Sequence, residues 1–426
     1  GLQEIINDPE KRRKLVVYIN PPYAEAGNKR VISGRDKEHK NGVAVSTTIY
    51  ERYLSTIGIA ARELFVLFLI RIYREIPSCR VAIFSKLKSL LSPNFTSFRT
   101  AFQAKLERIF VVPAETFDNV KGRFPISFQV WDSSQTGRLE TVAADVFDKD
   151  ARLLSVKQII SYDRYPNIVK WILEHRDEHE EKSIGFAHNG RNDFQHNNLV
   201  FIVNSKWQLP VPRGWWITGN NLLIFYLHFS VRLSLESTWL NDLDQFLWPR
   251  DGWQTDAEFQ TNCLAFTLFH TQNRITAAEG TNHWIPFTEA EVDAQSLFES
   301  HFMTDFMAGF SRRTGGDLEY DHDSGVLFQA QSFVPTAPLI FSPEATAVFD
   351  AGRELWRYYH AQPHANPNAS YYDIRAHFQG RNGQGKMNAK SDDPEYMRLW
   401  GNLKEAMEVL RQQIVPKVYE YGFLIR

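Results

Sequence analysis

The chain has 426 residues, 43% apolar and 23% charged, which is ordinary globular usage and more chain than one hydrophobic core organises, so two or three domains are expected. Only Cys79 and Cys263 are present, far apart, which argues against a disulfide framework or a thiolate metal site and for a reducing, cytoplasmic compartment. Net charge is −2, split as +9 over residues 1–131 and −11 over the remainder; either a polyanion binds mainly along the first part or the excess is solvated surface.

In chain order, "LVVYI" (Leu15 to Ile19) reads as a buried-type strand ending at Asn20. Residues 24–55, rich in Gly, Lys, Arg, Ser and Thr, read as a long loop, uncommon unless functional. "RELFVLFLIRIYREI" (Arg62 to Ile76) is apolar nearly all round and predicts a helix packed on a sheet. "RVAIF" (Arg80 to Phe84) is a second strand, and Ser92 with Pro93 marks a helix start running toward Leu106. "ERIFVV" and "FPISFQVW" predict a closing hairpin.

This order indicates half of a doubly wound α/β sheet, whose ligands lie beyond the carboxyl ends of the strands. Polar text from Asp132 to Val156 reads as a crossing between domains. Beyond it come a strand in "NNLVFIVNSKW", a mixed α+β stretch, a helix from the Ser342 cap and Pro343, and a last helix interrupted near Pro416. The expected division is 1–132, 133–340 and a helical 341–426. The longest apolar runs fall short of the roughly 18 residues of a membrane span, and no signal peptide is legible.

Chemistry concentrates in "NPPY", Asn20, Pro21, Pro22 and Tyr23. Proline fixes its own φ and biases the preceding residue toward extended backbone, so the turn is stiff and Asn20 is held at a defined angle. The Asn20 side-chain oxygen and the Pro21 carbonyl can form paired acceptors, and Tyr23 offers a flat face. That set suits an exocyclic amine on a planar heterocycle. Each N–H is bound, the ring stacks, and the nitrogen lone pair leaves conjugation.

With these residues the sequence resembles the amino-methylating DNA methyltransferases that use S-adenosylmethionine, specifically the adenine-N6 group in which target recognition follows the catalytic motifs. The likeness runs from about Leu15 to Asp132 through "NPPY", the Leu/Phe-rich helix, the strand Val81 to Phe84, "LSPNFTSFRTAF" and "VVPAETFDNVKGRFPISFQVWD". It implies that Asn20 and Pro21 accept the adenine amino protons, that Tyr23 stacks on an extruded base and that Phe117 stacks opposite, with Phe124 the alternative. It also implies base flipping and no metal.

The family's Gly-rich cofactor turn precedes N-P-P-Y, where this chain has only 19 residues. "GRNGQGK" (Gly380 to Lys386) follows no buried strand and reads as a loop. Most of the S-adenosylmethionine site is therefore expected outside this chain. The start on Gly suggests an excised fragment, and the other possibility is a partner chain that completes the site.

Lys29, Arg30 and Arg35 in the early loop, with Arg381 and Lys386 in the late one, are candidate DNA phosphate contacts; the late loop reads equally as a solvated turn. "SRRTGG", with Arg312 and Arg313, is similar. His188 and His283 read as structural. The expectation is a site-specific adenine-N6 methyltransferase of restriction-modification type acting on double-stranded DNA. The alternatives are a non-catalytic recognition fragment or split subunit, and an N-P-P-Y enzyme acting on cytosine N4, RNA or protein glutamine.

Overall fold

The computed structural model describes residues 1–21, 47–117, 124–177, 179–210, 213–310 and 334–425. Two short helices, α1 (Leu2–Asn7) and α2 (Pro9–Arg13), lead into β1 (Val16–Ile19). Asp8 caps α2 by accepting from the Glu10 and Lys11 amides, with Pro9 in the first turn where its missing N–H costs nothing.

The loop reading of 24–55 holds for no described part of that range beyond Thr47, because α3 (Thr48–Ile57) is a helix. Thr47 caps it, its hydroxyl accepting from the Tyr50 amide, and Gly58 at φ 59° ends it. α4 (Leu64–Glu75) follows, burying Phe65, Val66, Leu67, Leu69 and Ile70 on the sheet as its apolar run requires. Then come β2 (Arg80–Lys86), α5 (Lys88–Leu91) and α6 (Thr96–Ala101). The helix expected to reach Leu106 stops at Ala101, and the Ser92 side chain makes no capping bond. Phe102 and Phe98 stack at 5.1 Å and Phe102 meets Trp131 edge-on, so burying this aromatic pair against the sheet ends the helix and sends the chain into β3 (Ala104–Pro113).

β3 and β4 (Pro125–Thr136) form the expected antiparallel hairpin. The crossing read into Asp132 to Val156 is overturned, because β4 runs to Thr136, β5 (Thr141–Phe147) lies parallel to β3, and β6 (Leu153–Ile160) pairs with β5. Alternation there is weak since β6 is a sheet edge with Leu153, Leu154 and Val156 exposed. The sheet order is β1-β2-β4-β3-β5-β6. β1 is the other terminal strand, so it is not the buried type: Val16 and Tyr18 are 56% and 63% exposed while Val17 and Ile19 pack on the core.

One face of the sheet carries α4 and α6 through Val81, Ile83, Ile109, Val111 and Trp131. The opposite face bears Tyr18, Phe84, Phe128, Phe110 and Phe147 in ring contact, each partner within 6.3 Å. Between the central strands, Gln129 donates to Ser85 and Ser127 and accepts from the Trp131 indole, so this buried polar group is satisfied.

The second core begins at α7 (Ile168–Leu173) and adds a three-stranded sheet, β8-β7-β9, from β7 (Gly185–Asn189), β8 (Val200–Val203) and β9 (Gly214–Ile217). Gly214 is required there, because a Cβ would sit 1.7 Å from the Ala187 carbonyl oxygen. α8 (Leu222–Leu233) is buried almost throughout and packs on α9 (Ala257–Phe269). α10 (Phe302–Met307), α11 (Pro343–His360), α12 (Tyr371–Gln379) and α13 (Pro394–Glu420) complete it. Ser342 caps α11 as expected, accepting from the Ala345 amide. α13 is not interrupted at Pro416; Leu410, Ile414 and Val418 bury one stripe on either side of it, and that packing carries the helix past the missing N–H. The fold is α/β: a six-stranded mixed sheet, a second small sheet and a helical carboxyl-terminal region.

Candidate active site

β1 and β2 are parallel, with Ile19 opposite Ile83, so their carboxyl ends share one edge of the sheet. β4 starts at that edge, where Ile126 pairs with Lys86, and β3 ends there, where Pro113 pairs with Pro125. The edge therefore gathers Asn20 and Pro21, Lys86, the Pro113 to Phe117 turn, and Phe124 with Pro125. Asn20 is exposed and Pro21 buried. Pro22, Tyr23, Lys29, Arg30 and Arg35, like Arg312 and Arg313, lie outside the described residues.

Phe117 is half-buried and meets Phe84 edge-on at 5.3 Å, in a small cluster with Val112, Ala114, Ile126 and Phe124. The Phe124 carbonyl accepts from the Ala114 amide, closing the base of the hairpin, and Lys86 lies 5.7 Å above the Phe124 ring. Both aromatic candidates thus stand at the same edge as Asn20.

Residues 236–248, between α8 and α9, reach this edge, with Trp239, Leu240, Leu243 and Leu247 packing on the first core. Lys157 of β6 pins that segment by binding the Leu240 carbonyl and the Asp244 carboxylate at 2.6 Å, and the Asp242 carbonyl accepts from the Gln195 amide. Two clefts open where it meets the sheet. One of about 450 Å³ is lined by Pro113, Glu115, Glu236, Ser237, Thr238, Trp239 and Asp242. The other, about 150 Å³, is lined by Lys86, Lys88, Phe124, Pro125, Gln195, Asp242 and Leu243.

Asp242 lines both clefts. Burial, and after it the neighbouring Asp193 carboxylate, pushes its pKa up to about 6; Asp244 adds to the rise, and His196 and Lys88 oppose it. A carboxyl that can both accept and donate a hydrogen bond near neutral pH, placed in a cleft, is a functional-site signature. Little in "LNDLDQF" announces it, because its burial and the larger charge effects, from Asp193 and His196, come from segments distant in sequence.

Since the folded pKa exceeds the ordinary 3.8, the unfolded chain releases this proton first, and stability falls as pH rises from about 4 to about 6. Asp242→Asn is expected to stabilise the protein at pH 7 by on the order of 1–3 kcal/mol. At pH 3.5 it should change nothing, and urea unfolding at the two pH values checks both statements.

Arg381 and Lys386 stand elsewhere, exposed in the loop after α12. Arg381 donates to the Gly385 carbonyl and the Tyr372 hydroxyl, and Arg381 bridges to Met387. This Gly-containing loop follows a helix, not a strand, as the sequence reading expected. His188 and His283 are engaged with the Leu199 carbonyl and the Ser300 hydroxyl.

No family model matches the chain, and no curated protein matches it. Among solved structures it is similar to an ATP-dependent Type ISP restriction-modification enzyme, LlaBIII, bound to DNA, at 9% identity and a TM-score of 0.22. That likeness covers 43% of this chain and 16% of the enzyme's chain. Among the described residues no helix is long and apolar enough to cross a membrane.

Proposed function

We propose that this chain is the amine-acceptor and target-recognition portion of a DNA adenine-N6 methyltransferase of restriction-modification type. The observation that carries the reading is the Asn20-Pro21 step at the carboxyl end of a parallel strand, on an edge shared with Phe117 and Phe124, where residues 236–248 form clefts against the sheet. In this reading Asn20 Oδ1 and the Pro21 carbonyl accept the two amino protons of an extruded adenine. Drawing those protons into the plane of the acceptors leaves the nitrogen lone pair available to attack a methyl group. Tyr23 and Phe117 stack on the base, and stacking worth about 1–3 kcal/mol per base offsets part of the few kcal/mol of unstacking.

S-adenosylmethionine would be the methyl donor. Among the described residues no strand, Gly-rich turn and helix follow one another as a cradle for it requires, so the residues here do not fit that group, and its site is assigned to another segment or chain. The row of half-exposed rings from Tyr18 to Phe147 is consistent with such a neighbour. In this proposal the catalytic part extends to the end of β6, followed by a recognition part to about residue 340 and a helical end.

The cradle's absence from the described residues also favours a second reading, a recognition subunit that binds DNA and does not catalyse. Labelled S-adenosylmethionine, offered to the longest available form of the protein with adenine-containing and cytosine-containing duplexes, tests the first reading. Label in N6-methyladenine is expected. Label confined to cytosine, RNA or release-factor protein would replace it, and calorimetry of this chain with the cofactor should show no micromolar binding.

A further inference from the structure

Although residues 132–426 are acidic in sum, several of their cations are held by carbonyls and ring faces, with no carboxylate paired to them among the described residues. Arg274 lays its guanidinium 4.1 Å over the Phe201 ring, and His188 stacks on the same ring at 4.7 Å with 7° between planes. Arg274 Nε and Nη2 both donate to Gln272 Oε1, so the side chain is fixed at its stem. On α12, Arg375 donates Nη1 to the Thr271 carbonyl and stacks on Tyr371, while its enclosed Nε has no partner among the described residues. Arg381 packs over Tyr372 and donates to that hydroxyl at 2.7 Å. Lys386 stands exposed on the same loop.

Arg375 and Arg274 are near enough that the one lowers the pKa of the other, adding to burial, with only Tyr372 acting against both. Arg375 and Arg274 are both anchored on the 271–274 segment, Arg381 is held on Tyr372 of α12, and Lys386 is exposed in the same 380–386 loop as Arg381.

None of the four is in an ion pair among the described residues. Other arginines of this region behave differently: Arg353 pairs with Asp350 and Glu291, Arg398 with Glu395, and Arg411 with Glu408. The one acidic side chain of α12, Asp373, is already engaged by the Thr276 hydroxyl and the Ala277 and Ser370 amides. Like charges held together by carbonyls and ring faces, and left without carboxylates, make a preorganised anion site. The cations come from three separate segments at half-buried and exposed positions, so the site is an open strip suited to a chain of anions.

We propose that Arg274, Arg375, Arg381 and Lys386 hold the phosphate backbone of a DNA duplex, an inference that rests on the DNA reading above. The N–H groups that these guanidiniums do not spend on Gln272, Thr271, Gly385 and Tyr372 remain to donate to phosphate oxygens, and the Phe201 ring holds the Arg274 guanidinium in place. Phosphate contacts position a protein on the duplex without reading sequence, so the strip would set register for base contacts made elsewhere.

The test is anisotropy of a fluorescent duplex with this chain, between about 50 and 200 mM salt. The triple variant Arg274→Gln/Arg381→Gln/Lys386→Gln is expected to lower affinity about tenfold or more and to reduce the slope of log K against log salt by about 3. Arg398→Gln, which removes a carboxylate-paired arginine of α13, should leave both unchanged. If the triple variant fails to fold, Arg381→Gln/Lys386→Gln, whose two side chains are exposed, should lower the slope by about 2.

Wild-type duplex binding with an unchanged slope in the variants would overturn the strip and leave the methyltransferase reading standing. A fluorescent RNA of equal length is titrated in parallel, and variants that lose RNA binding with DNA-duplex binding intact would overturn it in favour of another polyanion. A wild-type chain that binds no duplex would overturn both readings.

Discussion

Asn20→Ala, assayed in the longest form of the protein that transfers methyl groups, will lower kcat by about 10²–10³-fold or more, the loss that follows removal of one preorganised polar group facing developing charge. In the proposed reading KM for DNA should move little, because phosphate contacts dominate affinity. Asn20→Asp keeps an acceptor oxygen and should retain more activity than the Ala variant. Folding stability should change by no more than about 0.5 kcal/mol, since Asn20 is exposed at the end of a terminal strand. Single-turnover transfer together with urea unfolding checks the set. A variant that transfers methyl groups at the wild-type rate would remove Asn20 from the chemistry and with it the proposed function.

The second large effect is structural. Arg99 of α6 meets Asp163, in the turn after β6, with Nε at 2.8 Å and Nη2 at 2.6 Å, both side chains less than a tenth exposed. Its remaining donors reach the Ser89 and Ser92 carbonyls, and Thr96 donates to Asp163 as well. The Arg99 guanidinium, ahead of the Thr96 and Ser161 hydroxyls, holds the Asp163 carboxyl at about 2, below its ordinary 3.8. A folded pKa below the unfolded one means that the unfolded chain binds the proton first on acidification. The contribution is therefore complete above about pH 4 and is lost as pH falls toward 2.

Asp163→Asn leaves a buried guanidinium without its charge partner and is expected to cost about 3–5 kcal/mol at pH 7. The difference from wild type should narrow by about 2 kcal/mol as pH drops from 4 to 2. Chemical unfolding across that range reads both numbers, and a constant difference would show that the pair carries no proton-linked stability.

The two effects separate two kinds of legibility. "NPPY" could be singled out from the sequence because proline geometry is local: Pro fixes its own φ and biases the preceding Asn toward extended backbone, and the structure places Asn20 at the carboxyl end of β1. The helix at Leu64–Glu75, the hairpin of β3 and β4 and the Ser342 cap were readable for the same reason, each resting on periodicity or a side chain bonding its own backbone. The Arg99–Asp163 pair and Asp242 were not, since their partners stand tens of residues away and neither carries a motif.

The errors have the same origin. β1 looked buried because its residues are β-branched and aromatic, yet a terminal strand buries only alternate ones. β5 and β6 looked like a linker because both are largely wet, β6 as the terminal strand and β5 on alternate positions, and Pro416 looked like a stop because helix propensity is weaker than the burial of Leu410, Ile414 and Val418.

By itself, the sequence determined the α/β class and singled out Asn20 beside its two prolines and Arg381 and Lys386 as candidates, all from properties of neighbouring residues. Only the tertiary structure decided that Phe117 and Phe124 share an edge with Asn20, that Asp242 lies between two clefts there, and that Arg274 and Arg375 are both anchored on the 271–274 segment. Those outcomes depend on which distant segments pack together, and burial and electrostatic coupling between such segments leave no periodic trace in the chain that encodes them.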